Sequence, residues 1–120
     1  MIITFSTTIK LAQSQGKLDP LLSGIKTVTR RKWKPSHAEA WLSNWENTHK
    51  AYNKAAFLQG EQIGTIKLTC KPYQERLKDM PEEDLIKEGD LWESTEEYFE
   101  CIKCNENDFV WVVRFTFEAL

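Results

Sequence analysis

The run Gly24-Ile25-Lys26-Thr27-Val28-Thr29-Arg30-Arg31 carries most of the chemical information in this chain. With Lys32 and Lys34 it places five cations within nine residues, Lys26 to Lys34, interrupted by Trp33. Cationic side chains contact phosphate oxygens, and an aromatic ring among them offers a face for a base to stack on. The stretch therefore suits a nucleic-acid or nucleoside ligand, although a solvated basic strand would have the same composition. A second reactive spacing is Cys101-Ile102-Lys103-Cys104. A structural zinc site needs four ligands, and only Cys70, His37 and His49 could complete one. Three cysteines exclude a complete disulfide framework and point to a reducing cytoplasm. The expectation is no metal and no cofactor, with Cys101 and Cys104 one turn apart on a helix and at least one of them in the core.

The elements that must position these residues read as a mixed α and β chain. Ile2, Ile3 and Phe5 suggest an opening strand, while Thr7 to Lys17 fits either a loop or a weak helix. Asp19-Pro20-Leu21-Leu22-Ser23-Gly24 predicts a single helical turn: Asp19 caps it, Pro20 fits its first position and Gly24 its left-handed stop. Thr27-Val28-Thr29 has strand propensity. Ser36 and Glu39 match a capping box and predict a helix over 37–45, with Ala38, Trp41, Leu42 and Trp45 on one face. Asn47 to Gln62 is polar, with Ala55-Ala56-Phe57 as a possible strand. Ile63 to Thr69 alternates like a strand, with Gly64 as a possible bulge. Asp79 opens an acidic helix that Gly89 stops. Ser94-Thr95-Glu96-Glu97 is a second capping box, for a helix to about Lys103. Phe109 to Glu118 is the clearest strand, apolar on both faces of its first half and so central.

The chain has 120 residues and a mass of 14.0 kDa, with 41% hydrophobic and 28% charged residues. That length predicts one domain over 1–120. No apolar run approaches the roughly 18 residues of a membrane span, and the first residues do not resemble a signal peptide. The net charge of −2 hides a split. Residues 1–60 hold nine cations against three acids, or +6, and residues 61–120 hold seven against fifteen, or −8. Such an asymmetry suggests a face that meets an anion, or two solvated faces that attract each other.

The order Gly-x-Lys-x-x-x-x-Arg after a short helix, here Gly24, Lys26 and Arg31, resembles the signature of the ASCH domain family. The opening strand, the segment Gly60 to Leu68, the acidic helix ending in Glu88-Gly89 and the closing strand follow the same pattern, while Ser36 to Asn53 is the least well matched part. The resemblance implies an α+β chain of PUA-like fold, a small curved β-barrel with short helices at its flanks. It also implies RNA or a modified nucleoside as the ligand. One branch of the family removes the acetyl group from N4-acetylcytidine, and another cleaves RNA. The hydrolase branch uses a lysine, a threonine and a glutamate, which correspond by motif position to Lys26, Thr29 and Glu88. Gly24, Arg30, Arg31, Lys32 and Trp33 are then the expected ligand contacts.

In that chemistry Lys26 is the base, its pKa lowered by burial or by Arg30 or Arg31. Thr29 is the nucleophile and Glu88 protonates the leaving amine. One geometric condition follows. Lys26 and Thr29 are three apart, so a regular strand through both would send them to opposite faces. Lys26 must therefore stand at the junction before the strand, or a bulge must lie between them. A competing reading is a protein-interaction module built on the Trp-rich segment 33–45.

Overall fold

The computed structural model describes all residues, 1–120. Six strands form one strongly curled, half-barrel sheet. They are β1 (Ile2–Thr4), β2 (Val28–Arg31), β3 (Thr48–Tyr52), β4 (Gln62–Leu68), β5 (Tyr73–Arg76) and β6 (Phe109–Ala119). Their order is β1-β3-β4-β6-β2, with β5 also paired to β6. Only the β1–β3 pair is parallel. The eleven-residue β6 is the spine of the sheet. Its first half pairs with β2 and β5, and its second half pairs with β4. That explains why both faces of its first half are apolar, with Val110, Val112, Val113 and Phe115 all buried.

Five helices flank the sheet: α1 (Ser6–Ser14), α2 (Pro20–Ser23), α3 (Pro35–Asn44), α4 (Asp84–Lys87) and α5 (Thr95–Cys101). In α2 the expected devices are all in place. The Asp19 carboxylate accepts the Leu21 N–H at 2.9 Å, Pro20 opens the turn, and Gly24 adopts φ +82°. A left-handed φ costs a residue with a Cβ far more than it costs glycine. The second capping box also forms, with the Glu97 N–H donating to Ser94 Oγ at 3.1 Å.

Thr7 to Lys17 fits either a loop or a weak helix by sequence, and the helix α1 forms, with Ala12 packed against Met80, Leu91, Trp92 and Tyr98. Local propensity is weak, and tertiary packing decides the segment. Other expectations need correction. The Ser36 box is not used. Pro35 takes the first helical position and places Ser36 inside α3, which has no side-chain cap. Ala55-Ala56-Phe57 is not a strand; Ala56–Leu58 is a 3₁₀ turn and Phe57 is 86% exposed. The strand of that region is β3, a polar-looking segment whose His49 and Ala51 point inward. The acidic helix begins at Asp84 rather than Asp79, which closes a separate 3₁₀ turn, Leu77–Asp79. Cys104 lies beyond the end of α5, and both Cys101 and Cys104 are only partly buried.

The buried apolar side chains form two clusters. One gathers Ile3, Phe5, Leu21, Trp41, Ala51, Ile66, Val113 and Phe115 beneath the sheet. The other joins α1 to α5 through Ala12, Met80, Leu91, Trp92 and Tyr98. No helix is long and apolar enough to cross a membrane.

Candidate functional site

Lys26 stands two residues before β2 begins at Val28. The segment leading into the strand is pinned on three sides. The Lys26 N–H donates to the Pro20 carbonyl at 3.0 Å, the Thr27 N–H to the Lys87 carbonyl at 2.9 Å, and the Phe115 N–H to the Thr27 carbonyl at 2.9 Å. The junction that the motif requires is therefore built. The left-handed Gly24 turns the chain out of α2, and irregular backbone carries Lys26 against the end of α4 before the regular strand starts.

The lysine amine is buried and fully engaged. Its Nζ donates to the Val28 carbonyl at 2.9 Å, the Glu88 carbonyl at 2.8 Å and Glu88 Oε1 at 3.1 Å. Burial holds its pKa below the ordinary 10.5. The Glu88 carboxylate opposes that shift, and Arg31 and Arg30 add to it. Glu88 follows the last residue of α4, and Gly89 after it adopts φ +146°. A Cβ at Gly89 would be strained at that φ and would press on Leu91, so the glycine aids the tight exit that aims Glu88 inward.

The other Glu88 oxygen, Oε2, accepts from Arg30 Nη1 at 2.8 Å. Arg30 Nε donates to Glu75 Oε1 at 2.9 Å and its Nη2 to Asp84 Oδ2 at 2.5 Å. Arg114 completes the cluster, donating from Nη2 to Asp84 Oδ2 at 2.7 Å. Desolvation would lower the Arg30 pKa, but Glu75, Glu88 and Asp84 outweigh it and raise the value. All three guanidinium nitrogens of Arg30 are thus spent on carboxylates. Such a network fixes side chains in place more surely than it adds net stability.

Thr29 and Arg31 share the opposite face of β2. Arg31 Nε donates to Thr29 Oγ1 at 3.1 Å, and Arg31 Nη2 donates to the Thr4 carbonyl at 2.6 Å. No hydrogen bond joins Lys26 to Thr29. Both nevertheless line one pocket of about 270 Å³, together with Glu88, Arg30 and Arg31. Its walls include Phe5 and Tyr98, one from each apolar cluster, and the α1 residues Ser6, Thr7 and Thr8. Burial and the nearby Glu88 carboxylate raise the Tyr98 pKa well above 10.0, so its phenol stays protonated as a donor.

The remaining motif residues lie elsewhere. Gly24 shapes the approach to Lys26 but does not line the pocket. Lys32 is exposed and pairs with Asp108 at 3.3 Å. Trp33 stacks on Trp41 at 5.1 Å between ring centroids and on Trp111 at 6.1 Å, so its faces meet the chain's own aromatics. His37 accepts the Trp41 indole N–H at 3.2 Å, and His49 is fully buried against the Trp41 ring. No group of three or more His, Cys, Asp or Glu side chains is arranged to hold a metal ion.

Sequence reasoning did not single out Glu75, Asp84 or Arg114, nor the wall formed by Thr4 to Thr8. Asp84 is one of three consecutive acids, and nothing local separates it from Glu82 and Glu83. For Ser6-Thr7-Thr8 the only available signal was a hydroxyl-rich run after an apolar strand. No protein-family model, curated protein or solved structure matches the chain.

Proposed function

We propose that the protein is an ASCH-type domain of PUA-like fold that takes a nucleobase or nucleoside in this pocket and hydrolyses an acyl amide on it, as on N4-acetylcytidine. The observation that carries the reading is the convergence of Lys26, Thr29 and Glu88 on one pocket. They come from the junction before β2, from β2 itself and from the end of α4. Opening at about 270 Å³, the pocket is near the lower limit for small-ligand sites. Its cations favour a small ligand over a phosphate chain, because Lys26 and Arg30 are already neutralised by carboxylates.

In this reading neutral Lys26 accepts the Thr29 hydroxyl proton as Thr29 Oγ attacks the acetyl carbonyl. Lys26 must turn from the Val28 carbonyl toward Thr29 to do so. Its protonated amine then stands 3.1 Å from Glu88 Oε1, and Glu88 relays the proton to the departing N4 amine as the C–N bond breaks. Water next cleaves the threonine ester to release acetate and restore the hydroxyl.

Incubation with N4-acetylcytidine tests the proposal, with cytidine and acetate as the expected products and no cytidine from Thr29→Val. Unchanged substrate in the presence of folded protein would leave a binding role, which titration with cytidine checks. An RNA-binding surface would instead show affinity falling with salt, at a log–log slope of roughly −0.7 per phosphate contacted on a single strand.

A further inference from the structure

The first turn of α1 is open. A helix begins with N–H groups that have no partner within it. In α1 the Ile9 N–H reaches the Phe5 carbonyl at 3.1 Å, but the N–H groups of Ser6, Thr7 and Thr8 meet no acceptor. No side chain caps this end, and no acidic residue lies in its first turn. All three residues line the pocket that holds Thr29 and Arg31.

Two further donor-bearing side chains, Arg31 and Trp92, line the same pocket and have no anionic partner. Arg31 is mostly buried, its contacts being the Thr29 hydroxyl, the Thr4 carbonyl and the Phe5 ring, whose centroid lies 5.5 Å from the guanidinium carbon. No carboxylate reaches it, whereas Lys26, Arg30 and Arg114 each have one. Trp92 is more than nine-tenths buried and its indole N–H is unpartnered, the only buried side-chain polar atom of the chain in that state. A buried donor left unsatisfied is destabilising, so this one calls for an explanation.

We propose that the N-terminal turn of α1, Arg31 and Trp92 form an oxyanion-binding subsite of this pocket, suited to a carboxylate or to a negatively charged acyl oxygen. Three converging observations support it. The helix terminus brings aligned N–H groups and a partial positive charge. Arg31 brings a full charge and at least one free guanidinium nitrogen, held in place because its Nη2 is anchored to the residue two before α1. Trp92 brings a buried, unpartnered indole N–H on a side chain that lines the pocket. No carboxylate forms an ion pair with these groups: Glu88, which lines the same pocket and acts on Arg31 through space, is committed to Lys26 and Arg30. Burial also lowers the Arg31 pKa, and the Glu88 carboxylate offsets this only in part.

The subsite rests on the hydrolytic reading only for which oxyanion arrives. Arg31 Nε already contacts Thr29 Oγ1, so an acyl group attacked by Thr29 would develop its negative oxygen beside the same guanidinium. Acetate, the product of that reaction, would then occupy the subsite at rest. Occupation by a free anion does not require turnover at all.

The test is amide-resolved NMR of the full chain titrated with sodium acetate and, separately, with inorganic phosphate at constant ionic strength. The expected result is saturable shifts of the Ser6, Thr7 and Thr8 amides and of the Trp92 indole N–H. Arg31→Gln should weaken binding about tenfold or more, as expected for loss of a charged hydrogen bond. Trp92→Phe, which removes the N–H and keeps an aromatic ring, should weaken it by a smaller factor and abolish the indole signal. Should Arg31→Gln fail to fold, Arg31→Lys and Trp92→Phe carry the comparison. Saturation by acetate together with competitive inhibition of deacetylation places the acyl oxygen there, and saturation by phosphate alone identifies an independent anion ligand; either supports the subsite. Absence of saturable shifts for both anions, or shifts of equal affinity in the Arg31 and Trp92 variants, overturns it. Cytidine production without these shifts would overturn the subsite and leave the hydrolytic reading standing; the reverse pattern would do the opposite.

Discussion

Lys26 Nζ lies 2.8 Å from the carbonyl oxygen and 3.1 Å from the carboxylate of Glu88, 62 residues further along the chain. This double contact ties the basic motif to the acidic helix and is the structural meaning of the charge split between the two halves. The acids nearest the motif do not form a separate face. Glu75, Asp84 and Glu88 enter the site and neutralise the cations behind the pocket.

Removing one partner of that contact should be costly. Lys26→Met leaves one Glu88 oxygen and two buried carbonyls without their donor, and is expected to lower stability by roughly 3 kcal/mol. Urea unfolding of Lys26→Met, Glu88→Gln and the double variant measures the coupling. The double variant should lose less than the sum of the singles, because it leaves no unpaired carboxylate opposite the methionine.

The proposed hydrolysis should rise with pH. Only the neutral amine of Lys26 can accept the threonine proton, and burial holds its pKa below 10.5. The kcat/KM for N4-acetylcytidine is therefore expected to increase with pH and to level off below pH 10.5. A rate that falls as pH rises toward 10.5, or that rises only above it, would remove Lys26 as the base.

Acid sensitivity should trace to Asp84. Burial pushes its pKa up, but hydrogen bonds from Arg114 and Arg30 outweigh this and hold it below the ordinary 3.8. The native state then binds fewer protons than the unfolded chain, so the stabilising contribution is complete above pH 3.8 and disappears as pH falls through the lower native value. Asp84→Asn should be less stable at pH 7, by roughly 3 kcal/mol. Thermal unfolding curves collected from pH 7 to 2 should show the two proteins converging at the acid end.

Gly64 tests the sheet rather than the site. A Cβ there would meet the Glu118 carbonyl oxygen and the Phe117 ring where β4 pairs with β6. Gly64→Ala should cost about 1–3 kcal/mol, the range for overpacking. Denaturant midpoints report it, and an unchanged midpoint would mean that the strands can separate at this point without loss.

What the residues determined by themselves was local. Asp19, Pro20 and Gly24 specify the turn of α2, Ser94 specifies the start of α5, and the alternation of 109–118 specifies a central strand, because caps and side-chain period act within a few residues. The Lys26–Thr29–Arg31 run pointed to a site only through its resemblance to a family signature. Tertiary structure decided the rest. The polar segment Thr48–Tyr52 became a strand through its pairing with β1 and β4, and α1 through burial of Ala12. It also decided which cations remain available: Arg30 is consumed by three carboxylates and Lys32 by Asp108, whereas Arg31 keeps no carboxylate. No pattern along the chain encodes that difference between adjacent arginines in advance. Neighbouring strand residues face opposite sides, and the partners on each side arrive from segments far away in sequence.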